Sequence, residues 1–334
     1  MSSQNSARLL AESLRRATGD SNPALISSVI PSLLRGIGHT AAALRMAHSV
    51  ETAGSQNVFG DAQLNVDVLA ERFFRDELAA CPAVVAASSE EDPVEVSTQS
   101  SGVVKAEEAA EAETYVVAFD PLDGSSIIGP NWTVGSILGV WEGRSALRQH
   151  PRKQLAAVLG VYGPRTTAVI AVRVPGREDA AVCVEVGVAD AAGSCEIIRS
   201  DVRFAAEPKT RYFAPANLRA ASEEPRYMGL VTQYIARRYT LRYSGGLVPD
   251  VVHALVKGHG VYLSPVTARS KAKLRRAFEL LPVALVVECA GGQAIDPVDG
   301  RRILETPLEN LDETAGLICG ATEDVELARA ALVG

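Results

Sequence analysis

"TYVVAFDPLDGSSII" (residues 114–128) holds the reading on which the fold turns. Its first half, "TYVVAF", is an unbroken apolar run of β-branched and aromatic residues, the mark of a strand buried on both faces. The run then ends in two carboxylates, Asp120 and Asp123, three residues apart with Pro121 between them. Acids so close repel each other unless a cation binds between them. Pro121 and Gly124 shape a tight turn that lets both aspartates point one way. The N–H groups of Gly124, Ser125 and Ser126 follow, placed to cradle an anion if a helix starts there. Asp-Pro and Asp-Gly are also common turn pairs, so spacing alone leaves a plain turn equally open.

A second acidic stretch tips that balance. "AVVAAS" reads as a strand and runs into "SEED" (89–92), with Glu90 and Glu91. If the two strands are neighbours, Glu90, Glu91, Asp120 and Asp123 converge at one sheet edge. Such a cluster suits hard divalent cations such as Mg²⁺, and is costly without them. With an anion nest beside it, the chemistry indicated is metal-assisted phosphoryl hydrolysis.

Working outward, residues 8–49 read as helix, with breaks expected at Pro31 and Gly36. "ETAGSQNVFGD" reads as a loop and a second helix is expected from Asp61. Leu64, Asp67, Val68, Glu71 and Phe74 share one face of it. Asp67 is then either a boundary residue or a carboxylate aimed into a site, and spacing does not decide. "VEVSTQSSGVVKAEEAAEAE" reads as a loop or hairpin tip. Strands are expected at "TVGSILGVWEG", on both sides of Gly163-Pro164, and through "AAVCVEVGVAD" and "CEIIRS". After about residue 205 strands alternate with helices, which indicates a smaller α/β lobe. "RYFAPANLRA" reads as a loop, and "AKLRRAFELLPVALVVECAGG" as a helix stopped at Gly291-Gly292. The expected organisation is two lobes, 1–205 holding metal and phosphate and 206–334 holding the sugar.

The bulk properties narrow the function. A net charge of -7 argues against nucleic-acid binding, which needs clustered positive charge. No apolar stretch is long enough for a transmembrane helix. The start lacks the long apolar core of a secretory signal and carries acids that a transit peptide avoids. The five cysteines form no CxxC pair and read as reduced, buried thiols. "SKAKLRR" (270–276) concentrates Lys271, Lys273, Arg275 and Arg276, as a distal phosphate would require, though a solvated helix start has the same composition.

"SEED", "FDPLDGSS", "RYSGGLVPDV" and "AKLRRAFELLPVALVVECAGG" together resemble the fructose-1,6-bisphosphatase superfamily of lithium-sensitive, Mg²⁺-dependent sugar phosphatases. The match runs from about residue 40 to about residue 300. "FGDAQLNVDVLAERFF", "NWTVGSILGVWEG" and "YFAPANLRA" are similar in style to its sedoheptulose-1,7-bisphosphatase branch. The resemblance implies a layered αβαβα fold and removal of the 1-phosphate of sedoheptulose 1,7-bisphosphate. The alternative is a fructose-1,6-bisphosphatase or a dual-substrate enzyme. It implies two or three Mg²⁺ per site, or Mn²⁺, held by Glu90, Asp120, Asp123 and Glu279 with the Leu122 carbonyl. Spacing alone would leave Glu279 on a helix surface. Glu91 and Asp67 match residues that manage the proton of the attacking water. Gly124, Ser125 and Ser126 match the cleaved phosphate's seat. Asn217, Arg242, Tyr243 and Lys273 match residues that hold the sugar and its distal phosphate, Arg242 across a subunit interface. A homo-oligomer follows, a dimer or a tetramer. The expected location is cytoplasmic, with a plastid or glycosome-like organelle as the alternative, in a carbon-fixation cycle or a pentose-phosphate shunt.

Three departures from the family are informative. The 51–61 loop lacks the paired cysteines of the plant enzymes, so redox switching through that pair is not expected. Thr114 stands where AMP-controlled members have a basic residue. Ser264 stands where fructose bisphosphatases have a tyrosine.

Overall fold

A computed structural model describes residues 3–19, 21–60, 62–98, 113–174 and 176–334. Helix α1 (Ser3–Thr18) is followed by one π-helical turn, Leu25–Val29, that runs directly into α2 (Ile30–Met46). The expected breaks at Pro31 and Gly36 are absent. Pro31 lies in the first turn of α2, where its missing N–H costs nothing. Gly36 admits the ring of Phe74, which a Cβ would meet at 2.4 Å. The expected 51–61 loop is largely a hairpin of β1 (Thr52–Gln56) and β2 (Ala62–Leu64). All five residues of β1 are exposed, so no apolar alternation betrays it. Asp61, the expected helix start, lies outside the described residues, and α3 begins four residues later (Asn65–Ala79). Phe74 is buried on it as expected, Asp67 is buried beside it, and Val68 is exposed.

The main sheet is built from β3 (Val84–Ser89), β4 (Val96–Ser97), β5 (Tyr115–Asp123), β6 (Val134–Glu142), β7 (Gln154–Tyr162), β8 (Thr166–Val174), β9 (Arg177–Val188) and β10 (Cys195–Arg199). A four-residue helix, α4 (Ser125–Ile128), follows β5. The order is β10-β9-β8-β7-β6-β5-β3-β4. Every neighbouring pair is antiparallel except β3 and β5. Most of the stretch expected as a loop before β5 lies outside the described residues.

The second sheet uses β11 (Tyr212–Pro215), β12 (Thr240–Leu241) and β13 (Val261–Ser264), with helices α5 (Pro225–Ala236) and α6 (Leu247–Lys257) between them. A short strand β14 (Leu274–Arg275) precedes α7 (Leu281–Cys289), and β15 (Gln293–Ile295), β16 (Thr314–Ala315), β17 (Leu317–Gly320) and α8 (Thr322–Leu332) close the chain. The order is β12-β11-β13-β17-β15, with β14 paired to β16 apart from it. The expected loop "RYFAPANLRA" thus contains β11, hidden from periodicity by its four-residue length and its proline.

The layers follow from which face each element buries. Helices α1 to α3 cover one face of the main sheet. Helices α6 and α7 fill the space between the two sheets. Helices α5 and α8 cover the far face of the second sheet. This is the αβαβα arrangement expected from the sequence. In α7, Leu281 to Val287 and Cys289 are all buried, so the helix is apolar all round, as a central layer demands. Each such side chain contributes roughly 2 kcal/mol on leaving water. All five cysteines are free and buried.

Candidate active site

The parallel pairing of β3 with β5 sets Ser89 opposite Phe119. Both strands therefore deliver acids at the same edge, and the Glu90 N–H donates to the Phe119 carbonyl at 3.0 Å. The Asp120–Asp123 turn is held from below: Ser136 Oγ donates to the Pro121 carbonyl at 2.6 Å and meets the Tyr162 hydroxyl. Leu122 lies between the two aspartates, 5% exposed, and its N–H donates to Asp120 Oδ1 at 2.9 Å.

Asp123 is gripped from the start of α6. The N–H groups of Leu247 and Val248, opening α6, donate to its two oxygens at 3.2 and 2.7 Å. This gives "SGGLVPDV" a physical role, since a helix N-terminus favours a carboxylate. Asp250 holds that entry in place by accepting the Ser244 N–H at 2.8 Å. Sequence reasoning missed Asp250, although an acid in a helix's first turn after Gly-Gly was visible.

Glu279 completes the group. It sits in a π-helical turn, Arg276–Leu280, that leads into α7. Such local widenings occur frequently at functional sites. Ligand atoms of Asp120, Asp123 and Glu279 lie within 4.8 Å of one another. Spacing alone put Glu279 on a surface; it is buried, because α7 is the central layer.

Burial, then the neighbouring Glu90 carboxylate, pushes Asp120 well above the usual carboxylate range, and Asp123 and Glu279 add to the effect. Glu279 is raised by burial first and Glu90 second. Asp123 is raised by burial to about 6, against the two α6 amides that stabilise its charge. Arg275 supplies some countercharge, its Nε 3.9 Å from Glu90 Oε1 and its guanidinium 3.6 Å from the centre of the Phe59 ring. A buried, oxygen-only donor set with so much uncompensated negative charge fits a hard divalent cation.

A second acidic pair stands beside it. Glu91, next to Glu90 in the chain, accepts from the Gln63 side chain. Asp67 is 4% exposed. Its Oδ2 accepts the Leu64 N–H at 2.8 Å, while Oδ1 has no hydrogen-bond partner. Burial raises Asp67 to about 7, offset in part by Leu64 and reinforced by the Glu91 charge.

Gly124 takes φ +96°, the left-handed conformation that starts α4. Ser125 and Ser126 stand exposed at that start. The sugar-side candidates lie where β11 and its parallel neighbours β12 and β13 end, the usual ligand side of such sheets. Asn217 follows β11 and donates to the Pro265 carbonyl at 2.8 Å. Arg242 and Tyr243 follow β12, both exposed, with the Arg242 guanidinium 5.7 Å from the Tyr212 ring centre. Burial raises the Tyr243 hydroxyl, and Asp250 and Asp123 are near enough to raise it further.

The basic segment differs from expectation. Lys273 and Arg275 are not on a helix: Lys273 is exposed ahead of β14 and Arg275 lies within it. Arg276 is buried and committed, donating to the Thr306 and Pro307 carbonyls and to Glu313. Two of the four cations are thus occupied inside the protein.

A buried carboxylate centre suited to a divalent cation is what this geometry defines. Comparison with known proteins makes it specific. Residues 9–187 match the family described as Fructose-1-6-bisphosphatase, N-terminal domain, and residues 206–333 its C-terminal domain. The chain belongs to the fructose-1,6-bisphosphatase family of sugar-bisphosphate phosphatases. It is 34% identical over 319 residues to the chloroplastic sedoheptulose-1,7-bisphosphatase of Spinacia oleracea, covering 95% of this chain and 76% of that one. It is 37% identical over 279 residues to the class 1 fructose-1,6-bisphosphatase of Syntrophotalea carbinolica, covering 83% and 79%. A Toxoplasma gondii crystal structure, of a protein provisionally named sedoheptulose-1,7 bisphosphatase, superposes with TM-score 0.83 at 35% identity, covering 97% of this chain and 98% of that one.

Proposed function

We propose that the chain hydrolyses the 1-phosphate of sedoheptulose 1,7-bisphosphate with Mg²⁺ as cofactor. The convergence of Asp120, Asp123 and Glu279 within 4.8 Å, beside Glu90, carries this reading. Glu90, Asp120, Asp123, Glu279 and the Leu122 carbonyl would hold two or three cations. When bound, these cations supply Lewis acidity toward phosphoryl oxygens and lower the pKa of water. Glu91 and Asp67 orient the attacking water and accept its proton, and the raised pKa of Asp67 suits a base working near neutral pH. The N–H groups around Gly124, Ser125 and Ser126 stabilise charge on the phosphoryl oxygens. Asn217, Arg242, Tyr243 and Lys273 position the sugar and its distal phosphate. The division of labour is between lobes 1–205 and 206–334, in a homo-oligomer acting in the cytoplasm or a plastid.

The seven-carbon sugar is favoured because the spinach relative matches over 95% of this chain and the class 1 fructose relative over 83%. Ser264, at the end of β13, is the local departure that supports it. The test is phosphate release with Mg²⁺, with kcat/KM measured for both bisphosphates. A preference of about tenfold for the seven-carbon sugar, roughly 1.4 kcal/mol of transition-state binding, is expected. Equal or reversed preference moves the enzyme to the fructose or dual-substrate reading. No metal-dependent hydrolysis of either compound overturns the proposal.

A further inference from the structure

A cavity of about 400 Å³ opens at the other end of α7. Arg152, Arg173 and Arg302 wall it, with two carboxylates, Glu288 of α7 and Glu305, and the apolar side chains of Leu285 and Leu304. Three guanidinium groups on one small cavity are unexpected in a chain of net charge -7. None of them belongs to the catalytic cluster.

Two of the three are fixed by the fold. Arg173 projects from β8 and donates Nε to the Gln154 carbonyl at 2.8 Å and Nη2 to the Pro151 carbonyl at 2.5 Å. Arg302 donates Nε and Nη2 to the Glu288 carboxylate at 3.2 and 2.7 Å. A guanidinium has five N–H donors, so both retain donors after these bonds. Burial lowers the Arg173 pKa; Cys289 and Glu288 oppose this, and the charges of Arg152 and Arg302 add to the lowering. Three guanidinium groups thus face two carboxylates, Glu288 and Glu305, and a bound anion would offset the remaining positive charge. Pre-oriented guanidinium forks match phosphate geometry, and the leucine wall suits an attached carbon skeleton.

We propose that this cavity is a regulatory site for a small phosphomonoester dianion, separate from the carboxylate cluster. Its line to that cluster is α7 itself. Glu279 and Glu288 lie nine residues apart in one helical run, about 13 Å along its axis. The side chains between them are all buried, so the run moves as a body. The site stands without the phosphatase reading; its coupling rests on the proposed role of Glu279.

The test is calorimetric titration of the full chain with phenylphosphonate, a dianion with an apolar end and no hydrolysable ester. EDTA removes the metal, so the acidic cluster repels anions; the seat proposed for the distal phosphate can still take one, so the binding lost in the cavity variants is what reports the arginine cavity. Saturable binding at the cavity is expected, weakened about tenfold or more in Arg152→Gln and in Arg302→Lys, as loss of a charge-assisted hydrogen bond requires. Unchanged melting temperatures would show that both variants fold. Inorganic phosphate in a parallel titration identifies the source: equal affinity points to the free ion, weaker affinity to an organic phosphate. No saturable binding, or equal affinity in wild type and both variants, overturns the site. Saturating phenylphosphonate is also expected to shift the Mg²⁺ binding midpoint, because coupling is reciprocal. An unmoved midpoint overturns the coupling. These titrations need no turnover, so failure of the hydrolysis assay would sink the proposed reaction and leave them intact.

Discussion

Two clusters of buried acid sit on opposite faces of the second sheet, and they are built in opposite ways. Asp324, at the start of α8, is 1% exposed. Its Oδ1 accepts the Tyr239 hydroxyl at 2.5 Å and lies 3.6 Å from Arg211, while His259 Nε2 stands 2.7 Å from its Oδ2 outside hydrogen-bonding geometry. Asp120, Asp123 and Glu279 are also buried, yet what faces them is mostly other carboxylates. The fold faces the first acid with a hydroxyl donor and basic side chains of its own. The second group is left with charge that the proposed cations would offset. Burial of an acid therefore says little about function; the identity of its neighbours says much.

The comparison makes unequal demands on mutants. Asp120→Asn should lower kcat/KM about a thousandfold or more, the several kcal/mol that a cation contributes to the transition state. Its melting temperature without metal should hold or rise, since one uncompensated charge is gone. A phosphate-release assay with a thermal melt reads both, and near-normal turnover would break the contrast. Asp324→Ala should do the reverse. Stability should fall by about 3 kcal/mol, the cost of stranding a buried partner, while kcat/KM of the folded fraction stays unchanged. Urea unfolding checks the first half and the same assay the second.

A smaller effect concerns pH. Asp67 and Asp123 are raised to about 7 and about 6, so the metal-free folded protein holds protons that the unfolded chain has already released. Their charging costs the folded state, so stability falls as pH climbs from about 4 toward about 7. In EDTA, calorimetry should show the melting temperature dropping by about 2 °C or more over this range. Saturating Mg²⁺ should shrink the drop. An EDTA profile that rises with pH would contradict the uncompensated charge.

The sequence made much of this legible, and the remainder escaped for definable reasons. Long apolar runs announced β5, β6 and the β7–β8 hairpin, because a strand buried on both faces needs nothing but apolar residues. The exposed β1 and the four-residue β11 carry no such signal. The acids at the ends of β3 and β5 were readable as a cluster because two strand ends can share one edge. Glu279 was readable only through family resemblance, since its burial depends on the second sheet. The commitment of Arg276 was unreadable for the same reason: composition shows a charge, but not that Glu313 already faces it.

The parallel pairing of β3 with β5 fixes where the cluster forms, and the position of Glu279 fixes when. The chain is made from its N-terminus, and early segments can begin to fold while later ones are still being added. Glu90, Asp120 and Asp123 can meet on the first sheet before residue 279 exists. The amides that grip Asp123, and Glu279 itself, arrive only with the last third of the chain. No shorter nascent product can assemble the complete centre. Appearance of metal-dependent turnover during synthesis would therefore time the docking of the two sheets, without any label on the protein.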